Sequence, residues 1–262
     1  MHFIKAHAYG NDFLYVETGA AGTRSLPALA RELCDRHTGV GADGLIVFTR
    51  MPLGASMRLF NADGGAAEVS GNGVRGLAAL LLDDDSRDST DLTIETDAGA
   101  KRLTWIGRSG SRQTFRAAMG LPRDLRQVRI DADGEPLQAA VMEFGNPQCV
   151  VIGELPTKPA FQRLGPALER HALFPAGTNV EFAVVEAPSR IRILIWERGV
   201  GPTQSSGTGS CAALIAAASY GGASREADVV APGGSQRVEW RDDNVYLTGW
   251  AEVLFDGEWR RS

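Results

Sequence analysis

The chain has 262 residues, of which 44% are hydrophobic and 23% charged, as in an ordinary soluble globular protein of one large or two medium domains. A formal net charge of −5 without any run of Lys or Arg argues against a nucleic-acid partner, and no apolar run is long enough to cross a bilayer. The three cysteines are widely spaced, which predicts neither a disulfide framework nor a zinc site and favours a cytoplasmic protein.

The first half of the chain predicts several strands and two helices. Short apolar runs bounded by turn residues are typical of strands, whereas apolar residues that recur on one helical face indicate a helix. By these patterns the strands lie at 3–4, 13–16, 45–49 and 57–60, and the helices lie at 27–36 and 73–82.

The second half is predicted to consist mostly of strands. They dominate from 92 to about 151, a helix follows at 159–171, and further strands lie at 181–186, 191–196 and 245–255. Gly, Ser and Arg cluster at 108–112, where we place the division of the chain. The predicted domains are therefore 1–110, completed by a return strand at 251–262, and 111–250.

One stretch of the chain occurs twice. When Ser70 is aligned with Ser206, residues 60–82 match 196–218, and an Ala- and Leu-rich helix follows each glycine-rich turn. Both helices are apolar on every side, which predicts that each is buried all round. We therefore predict an α+β fold of two pseudo-symmetric domains, each a curved antiparallel or mixed sheet wrapped around a central buried helix.

The start of each repeated helix is a candidate anion site. Helix N-termini carry unpaired N–H groups and partial positive charge, so they favour anions and lower the pKa of a nearby acid. Two such starts facing across a cleft would hold a carboxylate, with Ser70 on one side and Ser206 on the other. The alternative is that each Ser-Gly-x-Gly sequence simply caps its helix.

The motifs in this order resemble those of the diaminopimelate epimerase family almost from end to end. The matching segments are Gly10–Phe13, Gly39–Gly44, Met57–Arg58, Phe60–Gly64, Gly71–Gly73, Gly145–Pro147, Gly177–Val180, Trp196–Gly201 and Gly207–Gly209. The resemblance implies two domains of like fold and an epimerase that uses neither pyridoxal phosphate nor a metal. In this family one cysteine removes the α-proton of an amino acid and a second returns a proton from the opposite face. The implied reaction converts LL- to meso-diaminopimelate for lysine and peptidoglycan synthesis.

The resemblance also implies roles for individual residues. Polar side chains would hydrogen-bond the polar ends of the amino-acid substrate, and charged ones would hold its amino group and a carboxylate. Backbone N–H groups at the two helix starts would receive the α-carboxylate and stabilise the carbanion beside it. The substrate-binding residues are Asn11, Asn61, Gly71, Asn72, Asn146, Gln148, Asn179, Glu197, Arg198, Gly207 and Thr208. A homodimer, the usual state of the family, is also implied.

The chain departs from the family at the catalytic positions. Both family cysteines are serines here, Ser70 and Ser206, and the histidine of the family's Asn-Pro-His turn is Gln148. A thiol titrates near pKa 8.5 and lower at a helix N-terminus, whereas a serine hydroxyl is hardly ionised without an adjacent base. Glutamine cannot accept a proton, so Gln148 does not replace the histidine.

Three interpretations therefore stay open. The chain is an epimerase whose altered pair, Ser70 and Ser206, makes it slow or inactive. Alternatively, it is a related isomerase or dehydratase acting on another carboxylate substrate, with Glu197 or Asp63 as the base. In the third interpretation it is a non-catalytic homologue that binds an amino acid. We expect Cys149 and Cys211 to pack in the core.

Overall fold

The computed structural model describes residues 1–83 and 91–260. The chain forms two compact units, Met1–Ala117 together with the segment from Gly249 onward, and Ala118–Thr248. The sequence placed the division near 108–112, but in the structure these residues lie inside the first unit, in a hairpin between two long strands. None of the helices within 1–83 and 91–260 is long and apolar enough to cross a membrane.

The described part of the first unit contains three helices and eight strands of its own. The helices are α1 (Thr18–Ala21), α2 (Leu26–Cys34) and α3 (Gly71–Asp83). The strands are β1 (His2–Ala8), β2 (Asn11–Glu17), β3 (Gly44–Met51), β4 (Gly54–Asn61), β5 (Ala66–Ala67), β6 (Asp91–Thr96), β7 (Gly99–Ser109) and β8 (Arg112–Ala118). Helix α2 ends earlier than predicted because the Asp35 carboxylate accepts hydrogen bonds from the backbone N–H groups of His37 and Thr38, which turns the chain.

The second unit begins at Ala118, the last residue of β8, and contains two helices. They are α4 (Lys158–Glu169) and α5 (Gly207–Tyr220). The strands are β9 (Arg123–Ala132), β10 (Glu135–Phe144), β11 (Asn146–Ile152), β12 (Asn179–Ala187), β13 (Arg190–Glu197), β14 (Gly201–Thr203), β15 (Glu226–Ala231), β16 (Gly234–Trp240) and β17 (Val245–Glu258). From Gly249 onward, β17 belongs to the first unit.

The two units have the same strand topology. In the first, β1–β2 is antiparallel, β2–β3 parallel, β3–β4 antiparallel, β4–β6 parallel, and β6–β7 and β7–β8 antiparallel. The second repeats this series through β10, β11, β12, β13, β15, β16 and β17. In the first unit β17 also pairs with β1 and with β8, which closes the sheet into a barrel. The predicted α+β fold with two pseudo-symmetric halves is confirmed.

Each sheet wraps around one buried helix. Residues Asn72–Leu81 of α3 and Gly209–Ala217 of α5 are buried, and each helix packs into its own hydrophobic core. Helices α2 and α4 each contribute to a second core in their units, against β3 and β12 among others. Because the central helices are fixed by their apolar sides, their N-terminal ends are held firmly at one end of each sheet.

Candidate active site

Ser70 caps the start of α3. Its Oγ accepts the backbone N–H of Gly73 at 3.2 Å, and its carbonyl accepts that of Val74 at 2.8 Å. The helix start lies directly on strand β3, since a Cβ on Gly73 would lie 2.7 Å from Cδ1 of Ile46. Glycine is therefore required here by the close approach of the strand, and Ser70 stands at the edge of the core, half-buried.

Ser206 caps α5 in the same way. It has extended backbone angles (φ −138°, ψ 129°), and its Oγ accepts the backbone N–H of Gly209 at 3.1 Å. The Thr208 hydroxyl lies 3.5 Å from the same oxygen, and Ser206 is 7% exposed. The capping interpretation of the two serines is thus borne out in both units. Capping does not exclude chemistry, because an Oγ that accepts an N–H still has its own proton to donate.

A buried carboxyl group lies behind Ser206. Glu181, on β12, is fully buried, and its Oε1 lies 2.5 Å from where a Cβ on Gly209 would be. Burial raises the pKa of Glu181 well above its usual range, and the charge of Glu197 raises it further. From the sequence alone, Glu181 is predicted only as the first residue of a strand. Its signal was an acidic residue in an otherwise apolar strand.

Amide side chains surround this carboxyl group. With the Gln148 amide nitrogen facing Glu181, it donates to Oε1 at 3.1 Å and Oε2 at 3.3 Å. This orientation satisfies the carboxyl group, because its oxygens are acceptors and need a donor opposite them. The Gln148 oxygen then accepts from Nδ2 of Asn179 at 3.3 Å, and Asn146 lies against the same amide. Asn179 Oδ1 accepts the backbone N–H of Arg198 at 2.9 Å, so its amide is oriented from both ends.

A polar network supports the start of α3. Asn72 donates to Asn11 Oδ1 at 3.3 Å, and Asn11 donates to Asp43 Oδ2 at 2.8 Å. Arg36 bridges Asp43 and Asp12 at 2.9 and 2.7 Å. Burial alone would raise the pKa of Asp12, but hydrogen bonds from Arg36 and Lys5 outweigh it and lower that pKa. Asp43 lies within Gly39–Gly44, one of the segments that carry the resemblance, but it is not among the residues predicted to bind substrate.

The remaining predicted residues lie at strand ends and turns. Glu197 ends β13 half-buried, and Asn61 ends β4 exposed. Arg198 is exposed, and its guanidinium donates to the Ala176 carbonyl at 3.1 Å. Thr208 lies in the first turn of α5, its methyl group 3.5 Å from where a Cβ on Gly145 would be. In the second unit the structure thus gathers the predicted amides with Ser206 at one end of the sheet.

A cavity of about 630 Å³ in the first unit lies elsewhere. It is lined by side chains that include Tyr15, Phe48, Arg50 and Leu80. Leu80 is on the last turn of α3, far along the helix from Ser70. No residue predicted to bind substrate or to act in catalysis lines this cavity.

Comparison with known proteins gives a consistent result. The family model described as "Diaminopimelate epimerase" matches residues 3–123 and 140–254. A diaminopimelate epimerase of Desulforudis audaxviator is 40% identical over all of both chains. One of Desulfitobacterium hafniense is 39% identical over 98% of this chain and 97% of its own. The crystal structure of a hydroxyproline epimerase from Agrobacterium vitis shares the fold, with a TM-score of 0.67 and 16% identity over 98% of this chain and 90% of that chain.

Proposed function

The chain belongs to the diaminopimelate epimerase family, and we propose that it acts without a cofactor on the α-carbon of diaminopimelate, with Ser70 and Ser206 in the two acid/base positions. The observation that supports this proposal best is the matched pair of helix starts. In each unit a serine caps a buried helix and accepts the backbone N–H of the third helical residue.

The charges of an amino acid match these helix starts. The first N–H groups of an α-helix have no partner within the helix, so Gly71–Asn72 and Gly207–Thr208 offer donors to a carboxylate. Proton removal places negative charge next to that carboxylate, and fixed donors there stabilise the carbanion more than the substrate. Glu197 would hold the ammonium group and Arg198 a carboxylate. Asn11, Asn61, Asn146, Gln148 and Asn179 would orient the remaining polar atoms.

The serines set the expected rate. A hydroxyl group is a much weaker acid than a thiol, so less of it is ionised at neutral pH. Each unit of pKa mismatch costs about 1.4 kcal/mol, which is roughly tenfold in rate. We therefore expect slow turnover by this chain, and faster turnover when thiols are restored at both positions.

The test is the double variant S70C/S206C, assayed for conversion of LL- to meso-diaminopimelate by chiral chromatography. We expect at least tenfold faster conversion than with the wild-type chain. The matched control is S219C, because Ser219 lies on the same helix α5 but bonds the Ile215 carbonyl, far from the helix start. This control should leave the rate unchanged.

Three results would contradict the proposal or replace it. A double variant that neither epimerises nor binds diaminopimelate by calorimetry would exclude the substrate. Loss of water or movement of a double bond would indicate the related dehydratase or isomerase. Binding by the double variant without any α-hydrogen exchange would indicate an amino-acid-binding protein.

We propose, as the family resemblance implies, that the protein acts in the cytoplasm as a homodimer. Light scattering of the purified chain is the direct check of the second point. A mass equal to one chain across the working concentration range would contradict it.

A further inference from the structure

The duplicated fold allows the two halves to be compared position by position. In the first unit Tyr15 pairs with Ile46 across β2 and β3. In the second, the corresponding pair across β11 and β12 is Val150 and Glu181. Ile46 lies two residues after Gly44, the first paired residue of β3. Glu181 lies two residues after Asn179, the first paired residue of β12, so Ile46 and Glu181 occupy equivalent positions. The two halves differ in chemistry at this place.

Both side chains contact the start of the central helix. A Cβ on Gly73 would lie 2.7 Å from Ile46 Cδ1 and 3.5 Å from Cβ of the capping Ser70. A Cβ on Gly209, its counterpart, would lie 2.5 Å from Glu181 Oε1 and 3.1 Å from Oγ of the capping serine. The side chain next to the capped helix start is therefore a hydrocarbon, Ile46, in the first unit and a carboxyl, Glu181, in the second.

The Glu181 carboxyl is suited to hold a proton. Full burial favours its neutral form, whereas the amide of Gln148, which donates to it, supports the charged form that takes up the proton. Its pKa is raised by burial and then by Glu197, and the pKa of the neighbouring Cys149 thiol is raised by burial first and by the charge of Glu181 second. A carboxyl group with a raised pKa exchanges protons nearer to neutral pH than a serine hydroxyl can.

We propose that Glu181 is the proton store of the second unit's half-site and exchanges its proton with the substrate α-carbon through Ser206 Oγ. This inference rests on the proposed function. As the α C–H bond breaks, its proton passes to Ser206 Oγ. The serine's own proton passes to the Glu181 carboxylate once the two oxygens, which both lie against Gly209 without a direct hydrogen bond between them, come within hydrogen-bond reach. The electron pair stays on the α-carbon as a carbanion. Glu181 ends neutral, and Ser206 never carries a full charge.

The reverse transfer returns a proton to the same face of the α-carbon. Once Glu181 has exchanged its proton with water, the returned proton comes from solvent. Ser70 has Ile46 in the equivalent place and therefore lacks this store. The chain thus exchanges the α-hydrogen with solvent, with retention of configuration, faster than it inverts the centre.

The experiment follows LL-, meso- and DD-diaminopimelate in D₂O. Proton NMR measures loss of the α-hydrogen signal, and chiral chromatography measures configuration. We expect deuterium to enter centres of one configuration, L or D, at least tenfold faster than epimers appear. The variant E181Q should slow this exchange at least tenfold while binding, measured by calorimetry, stays within twofold. The control E186Q changes a carboxylate on the same strand that is exposed, and it should leave the exchange rate unchanged.

The pH profile provides a second measurement on the wild-type chain. Because transfer begins with the Glu181 carboxylate, the exchange rate should rise with pH through an apparent pKa above the usual glutamate range. The titratable groups that interact with Glu181 are Glu197 and Cys149. Because the charge of Glu197 raises the pKa of Glu181, E197Q should lower that apparent pKa. E181Q should abolish the inflection.

Two results would overturn the inference in different ways. If E181Q keeps both the exchange rate and the pH inflection, Glu181 is not the store, although the proposed function stands. If the wild-type chain neither binds diaminopimelate nor exchanges its α-hydrogen, the inference and the proposed function fail together. Epimers that appear as fast as deuterium enters would also contradict the one-sided store.

Discussion

Replacing Glu181 by Gln is predicted to stabilise the protein at neutral pH and to do so less at acid pH. The carboxyl is fully buried, and its pKa in the folded state is raised above the unfolded value, by burial first and by Glu197 second. The native chain therefore keeps a proton that the unfolded chain releases. The isosteric amide has no proton to lose, so it escapes this cost.

The size of the effect follows from proton linkage. Below about pH 4.3, the ordinary glutamate pKa, both states are protonated and the group makes no difference. Above that pH the unfolded chain releases one proton while the native chain keeps it. The free energy of unfolding then falls by about 1.4 kcal/mol per pH unit until the pH reaches the folded-state pKa. The amide variant lacks this slope. If its buried NH₂ group has no acceptor, the variant loses about 1–3 kcal/mol of stability at every pH.

The assay is urea unfolding of wild-type and E181Q proteins at a series of pH values from 4 to 8. The informative quantity is the difference between the two free energies, because all other titrating groups are common to both chains. E186Q is the matched control. Hydrogen bonds from Arg192, and then from Arg190, lower the pKa of Glu186, so its contribution to stability is lost only as pH falls below about 4.3. The difference between wild type and E186Q should therefore stay constant from about pH 5 to pH 8. A difference between wild type and E181Q that does not change with pH would refute a raised pKa at Glu181.

Three further predictions concern stability and binding. G209A should lower the free energy of urea unfolding by about 1–3 kcal/mol, because its Cβ would lie 2.5 Å from a buried carboxyl oxygen. The control G71A should cost less, because a Cβ on Gly71 meets no described atom within 4 Å. Equal costs would contradict the packing described for α5. D43A should cost about 1–3 kcal/mol in thermal or urea unfolding, because it leaves the Asn11 amide and the Arg36 guanidinium without a shared acceptor; an unchanged midpoint would exclude that role. R198M should weaken diaminopimelate binding by about 1–3 kcal/mol in calorimetry. The control R163M changes an exposed arginine paired with two carboxylates and should leave binding unchanged. Unchanged binding by R198M would remove Arg198 from the site.

Much of the fold could be predicted from the sequence because the chain repeats itself. The duplicated stretch around Ser70 and Ser206 predicted two related halves, and the apolar composition of the following helices predicted that each is buried. Cys149 and Cys211 pack in the core as expected. The short helix Thr18–Ala21 was not predicted, because four residues are too few to show a helical period.

The buried polar contacts could not be predicted in the same way. The apolar residues of 181–186 predict a strand, but they do not tell which helix the side chains meet. Glu181 became a site residue only when the register of β11 and β12 placed it beside the start of α5. Asn179 was predicted to bind substrate. Its contacts with Gln148 and Arg198 lie within the protein and do not test that role, which stays a prediction.

The most direct test of the central claim is α-hydrogen exchange of meso-diaminopimelate in D₂O, followed by proton NMR with the wild-type chain and with S70A/S206A. The account predicts that the wild-type chain replaces an α-hydrogen by deuterium and that the double alanine variant, folded by circular dichroism, does not. A wild-type chain that binds diaminopimelate yet exchanges no α-hydrogen, or a double alanine variant that exchanges it as fast, would contradict the account.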